Sequence, residues 1–382
     1  MALPTGDPVL ILGGGLMGLA VAHQLARRGE AVQVISRRRS EAAGFVAAGM
    51  LAPHAEGLQG SLLKLGQASL KAVPAWVAQI EHDSGLTAGL RASGIVVPFH
   101  SAAERDAYPT ASFGDPLDRR GLEQEVTGIG GDWQAGLLFA QDGQIDNRRR
   151  LMRALERACV GLGVEFLEGA EVLALETGSR GTLQGVQLIT AEGERRSLSS
   201  ERAVLCCGAW SSQLLPQLPI IPVKGQMLSL QGPRRALQRV LFGPGTYLVP
   251  REDGLIVVGA TSERHAGFRD GLTPNGQRQL QRGIQALLPQ AASWPPMERW
   301  WGFRPCTPDE GPLLGPGPIP GLWLATGHHR NGVLLAAITA ELVASCIARS
   351  TLPPQQEALL SPFGWQRFSP PCATPDRQGS TR

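Results

Sequence analysis

Gly13, Gly15 and Gly18 form a Gly-x-Gly-x-x-Gly pattern whose spacing implies phosphate chemistry. Between a buried strand and a helix, the first glycine permits a tight turn. The second leaves no Cβ where a pyrophosphate must approach, and the third lets helix pack on sheet. The helix N-terminus then offers unpaired N–H groups and the positive end of its dipole. About 20 residues further on, an acid usually holds the adenosine ribose diol. Here that position is Ser36, followed by Arg37-Arg38-Arg39. Two readings stay open: a site for the 2′-phosphate of NADP, or a serine hydroxyl bonding one ribose oxygen of FAD or NAD. An arginine run is also what a solvated face carries, so the fingerprint alone does not choose the cofactor.

A second segment, Ala47-Ala48-Gly49-Met50-Leu51-Ala52-Pro53, is small and apolar enough for main-chain atoms to lie against a flat ring, or to be an ordinary turn. The seven His show neither HxxxH nor HxH spacing and the six Cys show no CxxC, so no metal site is expected. Free thiols point to a reducing, cytoplasmic compartment. Thirty-six Lys+Arg against 33 Asp+Glu leave a net charge of +3, too weak a field to imply nucleic acid or an anionic membrane as partner. A small molecule is the expected partner. Neither a signal peptide nor a membrane span is read near the N-terminus, where residues 8–26 contain four Gly with His23 and Gln24 and follow no basic region.

The elements that must position these residues follow from periodicity. Val9 to Leu12 is a continuous apolar run, as in a strand buried on both faces. Residues 16–28 are apolar at helical spacing and stop at Arg27-Arg28-Gly29, and residues 31–35 are the next strand, giving a βαβ unit. Further on, 151–162 reads as a helix and 164–166, 171–175 and 203–207 as strands. Residues 322–325 return to the same sheet, and an apolar helix covers 332–348. Stretches 91–140 and 219–313 instead alternate short strands with turns, which predicts an antiparallel sheet. The expected class is α/β. A dinucleotide-binding domain is built from residues 1–90, 141–218 and 315–368, a second domain from 91–140 and 219–314, and a flexible tail from 369–382. No internal repeat is found.

Beyond the two opening segments, the chain carries Gly208-Ala209-Trp210-Ser211, Pro222-Val223-Lys224-Gly225, Tyr247-Leu248-Val249-Pro250-Arg251, Val257-Val258-Gly259-Ala260-Thr261, Gly302-Phe303-Arg304-Pro305 and Gly327-His328-His329-Arg330-Asn331-Gly332. In this order, from residue 9 to about 345, the chain resembles the glycine oxidases of thiamine biosynthesis, within the D-amino acid oxidase family of flavoenzymes. The resemblance implies non-covalent FAD in a glutathione-reductase-like, Rossmann-type domain, beside an antiparallel-sheet substrate domain, with the active site between them. It implies oxidation of glycine, with sarcosine or small D-amino acids as further substrates, by O₂ to the imine, then glyoxylate, ammonia and H₂O₂. It also implies a homotetramer and delivery of the imine to a thiazole synthase. Carried over by position, FAD would be lined by Gly13, Gly15, Leu16, Met17, Gly18, Ser36, Arg37, Ala43, Gly44, Ala48, Gly49, Met50, Val172 and Gly208. Residues His328, His329, Arg330, Asn331, Gly332, Val333 and Leu334 would wrap its ring system. The family usually has an acid at Ser36, and no flavin-linking Cys is evident.

For the substrate, the resemblance singles out Tyr247, Arg304 and Arg330. An amino acid always offers its carboxylate, which a guanidinium fixes in a plane through two parallel N–H bonds, and Arg304 lies among Trp300, Trp301 and Phe303. A surface ion pair is its alternative reading. Tyr247, one of only two Tyr, would place its hydroxyl against the same carboxylate, or else pack in the core. A guanidinium beside a substrate ammonium is unfavourable, so the Arg330 carbonyl is expected to meet the amine while its side chain points away. Asn331 is read as the N-cap of a helix whose dipole would stabilise negative charge on the flavin. No base role is given to His328 or His329, because hydride transfer from Cα driven by a neutral amine requires none. Two rivals remain: an NADP-dependent reductase, and a flavin-binding protein without catalysis.

Overall fold

The all-apolar strand Val9–Leu12 (β1) is fully buried because it is flanked on both sides. It pairs in parallel with Val32–Ser36 (β2) and with Ala203–Leu205. The computed structural model describes residues 7–349 and 351–369. Across this six-stranded sheet the order is Leu313–Pro316, Leu322–Thr326, Ala203–Leu205, β1, β2 and Glu165–Glu168. All neighbours are parallel except the first two. The chain leaves β1 toward β2 on one side and returns later on the other. The carboxyl end of β1 therefore opens a crevice at the point where the strand order reverses, where ligands bind in such sheets.

Leu16–Arg27 (α1) covers one face of the sheet, packed against the helix Gly332–Ala348. With the turn before it, the span His329–Ala348 is apolar and long enough to cross a membrane, yet 72% of its apolar stretch is buried within the fold, wedged against α1 and the long helix Gly60–Ser84 (α2). The sequence reading did not find α2, which carries Pro74 in its interior, where Pro usually ends a helix. The carboxylate of Asp83, near the end of α2, ties it to α1 by accepting from Arg27 Nη1 (2.6 Å) and meeting His23 Nε2 (2.9 Å). Burial pushes the Asp83 pKa up, but hydrogen bonds from His82, Arg27 and His23 outweigh it and hold the acid at about 2. Its ordinary value is higher, so these bonds stabilise the fold fully above about pH 4 and are lost as pH falls toward 2. Asp83→Asn is expected to cost about 1–2 kcal/mol at neutral pH. Urea titrations at pH 7 and pH 2 should show that gap closing in acid.

The second layer is an eight-stranded sheet. Its order is Pro296–Cys306, Ile221–Gln231, Leu255–Gly259, Thr246–Pro250, Val240–Gly243, Ile95–Phe99, Ala135–Phe139 and Asp115–Asp118. Strands from 91–140 and 219–313 thus share one sheet. It is not wholly antiparallel, since Val240 and Leu241 pair in parallel with Ile95 and Val96. These strands arrive from separate excursions of the chain, so no hairpin forces their direction. A small sheet of Met50–Leu51 (β3), Gly143–Ile145 and Leu90–Arg91 lies beside them.

One expected strand needs correction. The strand read over 203–207 ends at Leu205, because Gly208 (φ +55°) turns the chain into the short turn Gly208–Trp210, although Cys206 N still donates to Leu12 O at 2.8 Å. The strand read over 171–175 is present, two residues longer. Glu171–Thr177 starts a separate antiparallel meander with Leu183–Ile189 and the polar Arg195–Ser199. The tail assigned to 369–382 lies outside the described residues, apart from Ser369.

Candidate active site

A cleft of about 640 Å³ runs from the end of β1 to the eight-stranded sheet. At its first end the glycines divide their tasks. A Cβ on Gly13 (φ +117°) would sit 2.5 Å from Cys206 O, and one on Gly18 only 1.8 Å from Gly13 O. Gly18 therefore serves helix–strand packing and does not line the cleft, unlike Gly13 and Gly15. At Gly15 an added Cβ would meet nothing nearer than Ala42 Cβ at 3.3 Å. Gly15 caps α1 with no side-chain hydrogen bond among the described residues, leaving the first N–H groups of α1 for an anion.

Beside this cradle Ser36 is buried, and the three arginines that follow it are already paired. Arg37 meets Glu41 and Glu171, Arg38 meets Glu41, and Arg39 meets Glu156 and Glu168. None of the three guanidinium groups is left uncompensated for a 2′-phosphate, which removes the observation behind NADP. Glu41 itself lines the cleft, a carboxylate the sequence reading passed over. Its signal was the acid that closes the arginine run.

Along the middle lie Leu16, Met17, Ala43, Gly44, Ala48, Gly49, Met50, Val172 and Gly208, with His328, His329, Arg330, Gly332 and Val333 opposite. Two expected members do not reach the wall besides Gly18. Leu334 is 2% exposed and packs in the core, and its carbonyl accepts from Ser69 Oγ at 2.5 Å. Asn331 occupies the N-cap position but makes no capping hydrogen bond with its side chain; its N–H donates to His328 O at 2.9 Å. The chain enters that helix through a short 3-10 turn, which places the Asn331 side chain off the capping direction.

Arg304 and Tyr247 meet at the far end. The Arg304 guanidinium lies flat over Gly225, where a Cβ would stand 2.3 Å from Nη1, and it donates to Thr261 O at 3.1 Å. It makes no ion pair among the described residues and faces the cleft, with Glu56 near enough to feel its charge. Tyr247 lies over Gly259, and its hydroxyl sits 3.7 Å from Met227 Sδ and beside the Arg304 guanidinium. Burial pushes its phenol pKa up, and the nearby Arg304 opposes the rise.

Arg330 differs. Its Nε donates to Glu56 Oε2 at 2.6 Å and its Nη1 to Glu310 Oε2 at 2.8 Å, and Glu310 also takes Arg264. Arg264, Glu310, Arg330 and Glu56 thus form a chain of ion pairs joining four separate loops. Burial raises the Glu56 pKa and Arg330 opposes it. Glu56 also lines the cleft and was missed; its signal was a lone charge in a stretch of small residues.

Burial lowers the pKa of His328 to about 3 and of His329 to about 4, so both rings are neutral near pH 7. The fold gathers Cys306, Glu310 and His329 so that one donor atom of each lies within 4.8 Å of the others, a proximity no sequence spacing shows. Two guanidinium groups already occupy that carboxylate.

A phosphate cradle, a wall of small residues and a guanidinium without an ion pair among the described residues thus lie in one cleft that could hold a dinucleotide beside a small anion. The family profile of FAD dependent oxidoreductases (DAO) matches residues 8–346. The chain belongs to this family. It is 41% identical over 375 residues to the bifunctional protein ThiO/ThiG of Synechocystis sp., which covers 96% of this chain and 55% of that protein. It is 30% identical over 355 residues to the glycine oxidase of Pseudomonas aeruginosa, covering 90% and 95%. The crystal structure of glycine oxidase from Geobacillus kaustophilus superposes with a TM-score of 0.84 at 27% identity over 95% of this chain and 99% of that one. The chain spans about half the length of the bifunctional relatives it matches. As in other FAD dependent oxidoreductases of the family, the cofactor is FAD, and the residues present fit it. Gly13, Gly15 and the start of α1 would take the pyrophosphate. The Ala47–Met50 stretch, where Gly49 (φ +87°) has no room for a Cβ beside Ile145 O at 2.0 Å, would face the ring.

Proposed function

We propose that this chain oxidises glycine, with sarcosine and small D-amino acids as further substrates. One glycine, one O₂ and one water would give glyoxylate, ammonia and H₂O₂. The observation that carries the reading is the Arg304 guanidinium, without an ion pair among the described residues, beside Tyr247 at the end of the cleft. FAD, when bound, supplies the hydride acceptor and passes the electrons to O₂.

The chain's own residues supply position and charge. Arg304, aimed by the Thr261 carbonyl, holds the substrate carboxylate through paired N–H bonds, and Tyr247 adds its hydroxyl. The neutral amine meets the carbonyl of Arg330, whose guanidinium is held off by Glu56 and Glu310. Neutral His328 and His329 leave Cα without a strong base, in keeping with hydride loss driven by the amine. The N-terminus of Gly332–Ala348 bears its partial positive charge on the cleft side, where Gly332 and Val333 lie.

Among the described residues Cys159, Cys206, Cys207, Cys306 and Cys346 are free thiols, which supports a cytoplasmic site of action. The fused ThiO/ThiG relatives support delivery of the imine to a thiazole synthase. A homotetramer is the assembly we assign. Purified protein should show flavin bands near ~370 and ~450 nm and release peroxide on addition of glycine. Bound FAD that no amine reduces would favour a flavin carrier without catalysis. Tyr247→Phe is expected to lower kcat/KM by about 1–2 kcal/mol, the worth of one hydrogen bond to a charged group. Peroxide kinetics at wild-type rates in that variant would assign Tyr247 to packing.

A further inference from the structure

Four carbonyls between residues 44 and 49, the last two in the segment expected to face the ring, are held from outside the cleft. Gly44 O accepts from Asn147 Nδ2, Val46 O from Trp300 Nε1 at 3.0 Å, Ala48 O from Arg251 Nη2 at 2.5 Å and Gly49 O from Ile145 N at 2.8 Å. Arg251 reaches Ala48 from 203 positions along the chain and is 7% exposed. Its Nη1 donates to Gln144 Oε1 at 2.7 Å, its Nε lies 3.6 Å from Asp146 Oδ1, and burial lowers its pKa to about 10.

The side chain is not needed where Arg251 sits. The turn after Thr246–Pro250 is closed by backbone, with Arg251 N donating to Leu255 O (2.7 Å) and Gly254 N donating to Arg251 O (3.2 Å), bonds most residues would make. A buried guanidinium costs free energy unless its donors are used; here Nη1 and Nη2 are used on the far side of the cleft wall, while Nε has only the Asp146 charge nearby. A trans peptide is planar, so the Ala48 carbonyl and the Gly49 N–H point in opposite directions. Holding that carbonyl outward turns the Gly49 N–H toward the cleft, and this N–H donates to nothing else among the described residues.

We propose that Arg251 is a positioning residue for FAD, acting through the Ala48 carbonyl to aim the Gly49 N–H at an acceptor on the flavin ring. This rests on FAD occupying the cleft. The test is FAD titration of the deflavinated full chain, with the visible spectrum of the bound flavin, for wild type, Arg251→Met and Arg251→Lys. Arg251→Met removes both donors and is expected to weaken FAD about tenfold, with displaced flavin bands and an unchanged KM for glycine. Arg251→Lys keeps the charge but reaches one acceptor instead of two, so its Kd should rise several-fold at an unchanged Tm. If Arg251→Met fails to fold, Arg251→Lys decides alone. A folded variant with the wild-type Kd and spectrum overturns the proposal. Wild-type protein that takes up no FAD instead overturns the cofactor on which it rests.

Discussion

Arg304→Leu is expected to leave the protein yellow and almost inert, with kcat/KM for glycine lowered by about 3–5 kcal/mol. The size follows from what remains after the substitution. A carboxylate would enter a partly dry cleft with no cation facing it, because Arg330 is already shared between Glu56 and Glu310. Lost alignment adds to lost binding, since paired N–H bonds fix the plane of the carboxylate and hence the direction of Cα. The fold should barely notice. Within the protein the Arg304 guanidinium makes a hydrogen bond to Thr261 O, lies over bare Gly225 and sits beside the Tyr247 hydroxyl, with no ion pair among the described residues. Steady-state peroxide kinetics with an FAD titration check both halves, and an unchanged kcat/KM would remove Arg304 from the site.

Gly18→Ala should fail differently, losing cofactor and stability together. The new methyl group would stand 1.8 Å from Gly13 O and 3.1 Å from Ile11 Cγ2, both parts of rigid backbone or core. Relief requires α1 to back away from β1, which carries the helix N-terminus off the phosphate cradle. We expect about 2–4 kcal/mol of destabilisation and at least about tenfold weaker FAD. Gly15→Ala is the contrast. Gly15 has an ordinary extended φ of −77° and 3.3 Å of clearance to Ala42, so that variant should keep its Tm while its methyl group obstructs the pyrophosphate. Thermal melts of the two apoproteins beside FAD titrations separate the cases; equal Tm values in both would refute the packing role of Gly18.

What could be read from residues alone was local. β1, α1 and β2 declare themselves because burial on both faces and helical spacing leave a period in the sequence. The position of Arg304 and Tyr247 came through resemblance, since no spacing links residues on different strands of one sheet. The task of Arg251 leaves no pattern in the sequence, because its partner Ala48 lies in a loop 203 positions away. Glu56 carried too little pattern to stand out, and α2 was hidden by Pro74. Assigning a cap to Asn331 followed residue preference, and the 3-10 turn before the helix overrode it. Leu334 was drawn into the ring-facing set by adjacency, whereas a helix turns successive side chains about 100° apart and sends this one into the core.

The four-membered chain from Arg264 to Glu56 passes from solvent to interior: its side chains are 44%, 30%, 42% and 6% exposed in order. At physiological ionic strength charges are screened over about 8 Å in water, and far less once water is excluded. Added salt therefore loosens its outer links while the innermost one holds. The rim of the substrate end behaves as a latch undone from the outside inward, whose stiffness is set by the surrounding electrolyte while its anchor stays indifferent to it.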